Sequence, residues 1–169
     1  MSEDGEINSS RQALRNFSAA DHVGEHGEWL TNLGVDGTPS GQVLWQERAD
    51  RFPGIRFLPR VRKDILDLST SGAPYKMLVD RLKELSADVI RWRELGILEM
   101  SGKTARGEHE QRKKFCYVED VEVGETRCFD AHAYFTGGIP GRIHFFVDTD
   151  RYELVVAYAG FKIDRHIGG

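Results

Sequence analysis

Apolar and polar side chains alternate most regularly between Phe129 and Phe161, in the stretch FDAHAYFTGGIPGRIHFFVDTDRYELVVAYAGF. A period of two sends successive residues to opposite faces of a sheet. Phe129, Ala131, Ala133 and Phe135 fall on one face, with Ile143, Phe145 and Val147 beside them. Asp130, His132, Tyr134, Arg142, His144 and Phe146 fall on the other. The turn-rich segments TGGIPG and DTDR separate three predicted strands. If core residues face core residues, His132 lies opposite His144 and Tyr134 opposite Arg142, or one pair further along. Directly opposed residues sit about 4.5–5.5 Å apart at Cβ. The third strand should give Leu154, Val156 and Tyr158 to the core. Ala157 and Ala159 would then lie on the polar face, where small side chains leave room for a ligand.

Upstream the period changes. Tyr75, Leu78, Val79, Leu82, Leu85, Val89 and Trp92 recur at steps of three and four, which predicts a helix over 75–95. Gly96 is suited to end it. Val61, Ile65 and Leu68 predict a shorter helix over 60–68, preceded by a strand at 55–58. Phe115 to Val118 reads as a further strand. The predicted order is strand, helix, helix, then a four-stranded antiparallel meander, an α+β domain over 55–169. The two helices should cover the Phe129/Ile143/Phe145 face. The His/Arg face should then be open, unless the amino-terminal extension crosses it. Residues 1–20 are polar and mixed in charge and read as a weakly ordered tail. Residues 21–54 are glycine-rich, carry Trp29 and Trp45, and include a short helix near 43–51. They read as an extension packed on the domain.

A chain of 169 residues can bury one real core. No apolar run is long enough to suggest a membrane span. The start, MSEDGEINSSRQ, lacks the basic-then-apolar order of a secretory signal, so a cytoplasmic protein with reduced Cys116 and Cys128 is expected. The formal net charge of −4 argues weakly against nucleic-acid binding. Base is nevertheless concentrated in RFLPRVRK, from Arg56 to Lys63, and in Arg112 to Lys114. A locally basic surface on an acidic protein can still hold phosphate.

The segments IRFLPRVRKDILDL and GRIHFFVDTDRYELVVAYAGFKID carry a family resemblance. The first resembles the opening strand and helix of the RelE/ParE-type toxins, and the second their closing hairpin. The resemblance covers roughly residues 55 to 163. It implies a RelE-like fold and an RNase toxin acting on RNA, on the ribosome in this family, or a gyrase-directed toxin in other branches. It also implies a toxin–antitoxin or phage-defence setting and an antitoxin partner, which the amino-terminal extension could dock. Arg142 matches a recurrent functional position of the family. Arg165 and His166 fall where some members carry a carboxy-terminal tyrosine or histidine. The chain is longer and more acidic than such toxins, and its Gly96 to Gly107 insertion has no counterpart in them.

Metal-free RNA cleavage needs a base, an acid and a cation for the phosphorane. Histidine can serve either proton role and arginine matches phosphate oxygens. His132, His144 and Arg142 are therefore the candidate catalytic groups, with Tyr134 to orient phosphate or stack on a base. Arg112, Lys114, Arg60, Lys63 and Arg165 are candidate nucleic-acid contacts. Glu108 or His109 could complete the site, although EHEQRKK reads first as a solvated charge run. No HxH or HExxH spacing supports a metal, and Gly102-Lys103-Thr104 lacks the strand and glycine spacing of a phosphate loop, so no cofactor is expected. Polar residues on an outer sheet face need no function, and the same sheet read as a non-catalytic scaffold makes the chain a protein-interaction or accessory subunit. A DNA-acting enzyme is the remaining alternative.

Overall fold

The computed structural model describes residues 38–100, 104–105, 107–136, 140–162 and 166–167. The expected tail, Trp29 and Arg165 lie outside the described residues. Among the described residues two short helices come first, α1 (Gly41–Gln46) and α2 (Arg48–Arg51). Ser40 caps α1, its side chain accepting from the Val43 N–H. Leu44 and Phe52 are fully buried, and the Trp45 ring meets Phe57 edge-on at 6.3 Å. This part of the extension therefore packs on the domain.

Strand β1 (Ile55–Phe57) leads into α3 (Val61–Leu68) and the long helix α4 (Ala73–Leu95). The apolar stripe of α4 is buried as its spacing predicts, and Gly96 ends the helix in the left-handed conformation, at φ 72°. Then come β2 (Thr104–Ala105), α5 (Glu110–Lys113), β3 (Tyr117–Asp120), β4 (Glu125–Cys128), β5 (Ala131–Tyr134), β6 (Gly141–Asp148) and β7 (Glu153–Phe161).

The main sheet has the order β1-β7-β6-β5-β2, while β3 and β4 form a separate two-stranded hairpin. The α+β class stands. The four-stranded meander does not take the expected form, because the strand beginning near Phe115 pairs only with β4. Three strands, β5, β6 and β7, make the meander. β1 joins it in parallel to β7, with Ile55 opposite Leu154.

Register in the meander follows the apolar alternation. His132 opposes His144, Tyr134 opposes Arg142, and Ala131 and Ala133 oppose Phe145 and Ile143. A β-bulge between His144 and Phe145 then shifts β7, so that Tyr158 opposes His144 and Ala159 opposes Ile143. One extra residue reverses the side-chain alternation beyond it. Tyr158 and Ala159 are thus on the faces opposite to those expected. Phe129 also changes sides, its ring meeting Phe146 at 6.2 Å. It precedes β5 and extends the hairpin instead, its N–H donating to the Cys116 carbonyl.

The histidine face is not open. The β3–β4 hairpin lies over it, fixed by charge more than by apolar contact. Arg56 reaches across from β1 to grip both oxygens of buried Asp120, at 2.8 and 2.7 Å, and also binds Glu153. Arg127 of β4 stacks on Phe146 and pairs with Asp148 at 2.9 Å. Arg56 is consumed by these contacts and is no phosphate ligand.

Candidate functional site

Beside the hairpin, the segment Gly107 to Lys114 lies across the mouth of the histidine row like a strap. A Cβ on Gly107 would stand 2.8 Å from the Asp130 carboxylate, so only glycine passes there without displacement. The Glu108 N–H donates to the Asp130 carbonyl, and Lys113 adds an ion pair to Asp130 at 3.6 Å. His109 caps α5 through its own ring nitrogen and takes no part in the row. The charge run is therefore divided. Gln111 and Lys114 are exposed, whereas Glu108 is only 8 % exposed.

Glu108 enters the row from this strap. Its Oε1 accepts a short hydrogen bond from Arg142 Nη1, and its Oε2 accepts from Arg112 Nε at 3.1 Å. His132 Nδ1 stands 3.9 Å from the same Oε1. Burial raises the Glu108 carboxyl, but the Arg142 guanidinium, with His132 and Arg112 behind it, outweighs burial and holds it below its ordinary value. Arg142 Nε is buried and finds no acceptor among the described residues.

Behind Arg142 runs a chain of donors. Arg142 Nη2 donates to Tyr134 Oη at 3.5 Å, and Tyr134 Oη lies 3.3 Å from His132 Nε2. His132 Nδ1 is 3.3 Å from the Asp130 carbonyl and His144 Nδ1 3.2 Å from that of Phe129. A carbonyl can only accept, so both Nδ1 atoms carry hydrogen. His132 Nε2 is left as a lone pair facing the Tyr134 hydroxyl. The two imidazoles lie 5.2 Å apart, and Tyr158 follows His144 at 5.9 Å. Arg60 sits over Tyr158 at 5.3 Å, at the far end of the ring row.

The expected proton groups thus converge, but under cover. His132 is 3 % and His144 5 % exposed. Burial, then the neighbouring His132, pushes the His144 pKa down to about 4. Burial also lowers His132. Both rings are neutral near pH 7.

The candidate nucleic-acid contacts are scattered. Arg112 belongs to the row, and Lys114 is exposed beside the Phe115 ring. Arg60 just before α3 and Lys63 on it border a groove of about 470 Å³ against the end of β7. There Arg60 donates to the Ala157 carbonyl and Asp64 accepts from the Ala159 N–H, so side chains at the start of α3 extend the sheet edge where β1 ends. Burial, opposed by Arg60, raises the Asp64 pKa to about 6. No group of three or more metal-ligating side chains is assembled among the described residues. No helix among them is long and apolar enough to cross a membrane. Two members of the row escape the strand pattern. Glu108 is hidden in a charge run, and Tyr158 is displaced by a bulge that leaves no mark in the alternation.

Comparison with protein-family models, curated proteins and solved structures finds no match.

Proposed function

We propose that this chain is a RelE-like effector that cleaves RNA without a metal, in a toxin–antitoxin or phage-defence setting, and that the described form is its closed state. One observation carries the reading. Two arginines and a histidine gather around a buried anion, the Glu108 carboxylate, with the Tyr134 hydroxyl behind Arg142, in the arrangement a phosphate would need.

In the reaction, His132 Nε2 takes the proton of a ribose 2′-hydroxyl. The 2′-oxygen attacks phosphorus, Arg142 neutralises the charge that develops, and the P–O5′ bond breaks. Tyr134 gives its proton to the leaving 5′-oxygen and recovers one from His132, 3.3 Å away. The products are a 2′,3′-cyclic phosphate and a 5′-hydroxyl. His144, neutral and bonded to the Phe129 carbonyl, positions His132. Inducible expression in bacteria, scored for growth arrest and RNA breakage, tests the reading. Arrest that disappears with His132→Ala in a protein of unchanged circular dichroism supports it. Arrest that survives the substitution rejects the assignment.

Burial of both imidazoles favours a second reading, a non-catalytic interaction subunit. Its surface would be the groove bounded by Leu58, Pro59, Tyr117 and Val121, where Tyr117 and Val121 are exposed. Soluble, folded protein that neither arrests growth nor breaks RNA, even with the strap loosened, favours this reading.

A further inference from the structure

We infer that Glu108 is a built-in plug: its carboxylate occupies a phosphate-oxyanion seat formed by Arg142 and His132, and the Gly107–Lys114 strap, which carries Arg112 with it, must lift before the seat can take a nucleic-acid phosphodiester. The inference rests on the function proposed above and adds to it how the site is kept shut.

Three features set this seat apart from an ordinary buried ion pair. First, the carboxylate meets the sheet through Arg142 at one oxygen, with the His132 ring nitrogen 3.9 Å away, while its other oxygen is held by Arg112 of its own strap. Second, the occupant leaves the seat incompletely used. Only Nη1 of Arg142 meets the carboxylate, while the parallel donor beside it, Nη2, makes a long 3.5 Å contact with Tyr134 Oη. A tetrahedral oxyanion has further oxygens to offer, and arginine binds phosphate best through two parallel N–H groups. Third, the plug is carried on a separable piece. Beyond the clasp itself, the strap is tied to Asp130 by one backbone hydrogen bond and the longer Lys113 pair, and the buried Cys116 thiol donates to the Arg112 carbonyl. Its helix α5 has only four residues and no buried side chain. Little apolar area is lost when such a segment lifts.

A ligand covalently tied to its own seat competes at high effective concentration. Free phosphate should therefore bind the wild-type chain weakly. Glu108→Gln keeps the shape and removes the competing charge.

Titration calorimetry of the full chain with inorganic phosphate tests this, with circular dichroism as the fold control. Glu108→Gln should bind phosphate about tenfold more tightly than wild type, and Glu108→Gln with Arg142→Lys should lose the gain. Equal affinity in the two folded proteins overturns the plug. RNA and DNA hexamers of one sequence distinguish a nucleic-acid backbone from free phosphate as the occupant, and displacement of phosphate by neither would remove the phosphodiester assignment. If Glu108→Gln fails to fold, hydrogen exchange of the wild-type strap gives the same answer. Phosphate should speed exchange at the Glu108 amide, and unchanged exchange at saturating phosphate overturns the plug.

The two proposals can fail separately. A Glu108→Gln protein that binds phosphate but leaves RNA intact keeps the plug and removes the nuclease. A wild-type protein that cleaves RNA fully and loses this activity in Glu108→Gln makes Glu108 part of the reaction and removes the plug.

Discussion

His144 shows how much a single ring depends on what covers it. Its folded pKa of about 4 lies below the ordinary value of 6.5 because burial disfavours the charged form. Between these values the unfolded chain binds the proton and the folded chain does not. Stability from this group is therefore complete above pH 6.5 and is lost as pH falls toward 4. Acidification from pH 7 to 5 should cost about 2 kcal/mol from His144. Urea denaturation at the two pH values measures the loss, and His144→Gln should flatten much of it. The pairing of His132 with His144 was one of two registers that the sequence left open, both setting apolar residues of β5 against those of β6, and it is the one the strands adopt. Their burial was not legible. The cover comes from residues 107 to 128, whose charged surface gives no sign that one carboxylate turns inward.

At the level of elements, readable parts are those held by apolar stripes. Helix α4 follows from its spacing, and its left-handed Gly96 from the need to stop. The sequence reading places the strand at Phe115–Val118 in the sheet and does not predict its partner β4, because neither strand alternates cleanly. The β3–β4 hairpin is held instead by Arg56 on Asp120 and Arg127 on Asp148. Removing one partner of a buried pair leaves the other charge uncompensated, so Arg56→Ala should cost about 3–5 kcal/mol in chemical denaturation. Exposure of the histidine row should accompany the loss. The bulged strand makes a second prediction. A Cβ at Gly160 would stand 2.5 Å from the Tyr158 hydroxyl, which donates to the Phe161 carbonyl. Gly160→Ala should displace that ring and lower stability by about 1–3 kcal/mol. A melting temperature equal to wild type would show that the Tyr158 ring moves aside freely.

Taken whole, the described molecule has three layers, with α3 and α4 on one face of the five-stranded sheet and the hairpin and strap on the other. The sequence supports the α+β class and the convergence of the histidine row, whereas a count of strands in order misses that one hairpin has left the sheet to become a lid. The first strand and the last are neighbours, with Ile55 to Phe57 lying along Leu154 to Val156. A ribosome delivers these two segments almost a hundred residues apart. Until Glu153 and its successors emerge, β1 has no bed, and the buried sides of α3 and α4 have no sheet to rest on. A nascent chain arrested before β7 should consequently be digested by protease throughout, and resistance should appear abruptly once that strand is free of the exit tunnel.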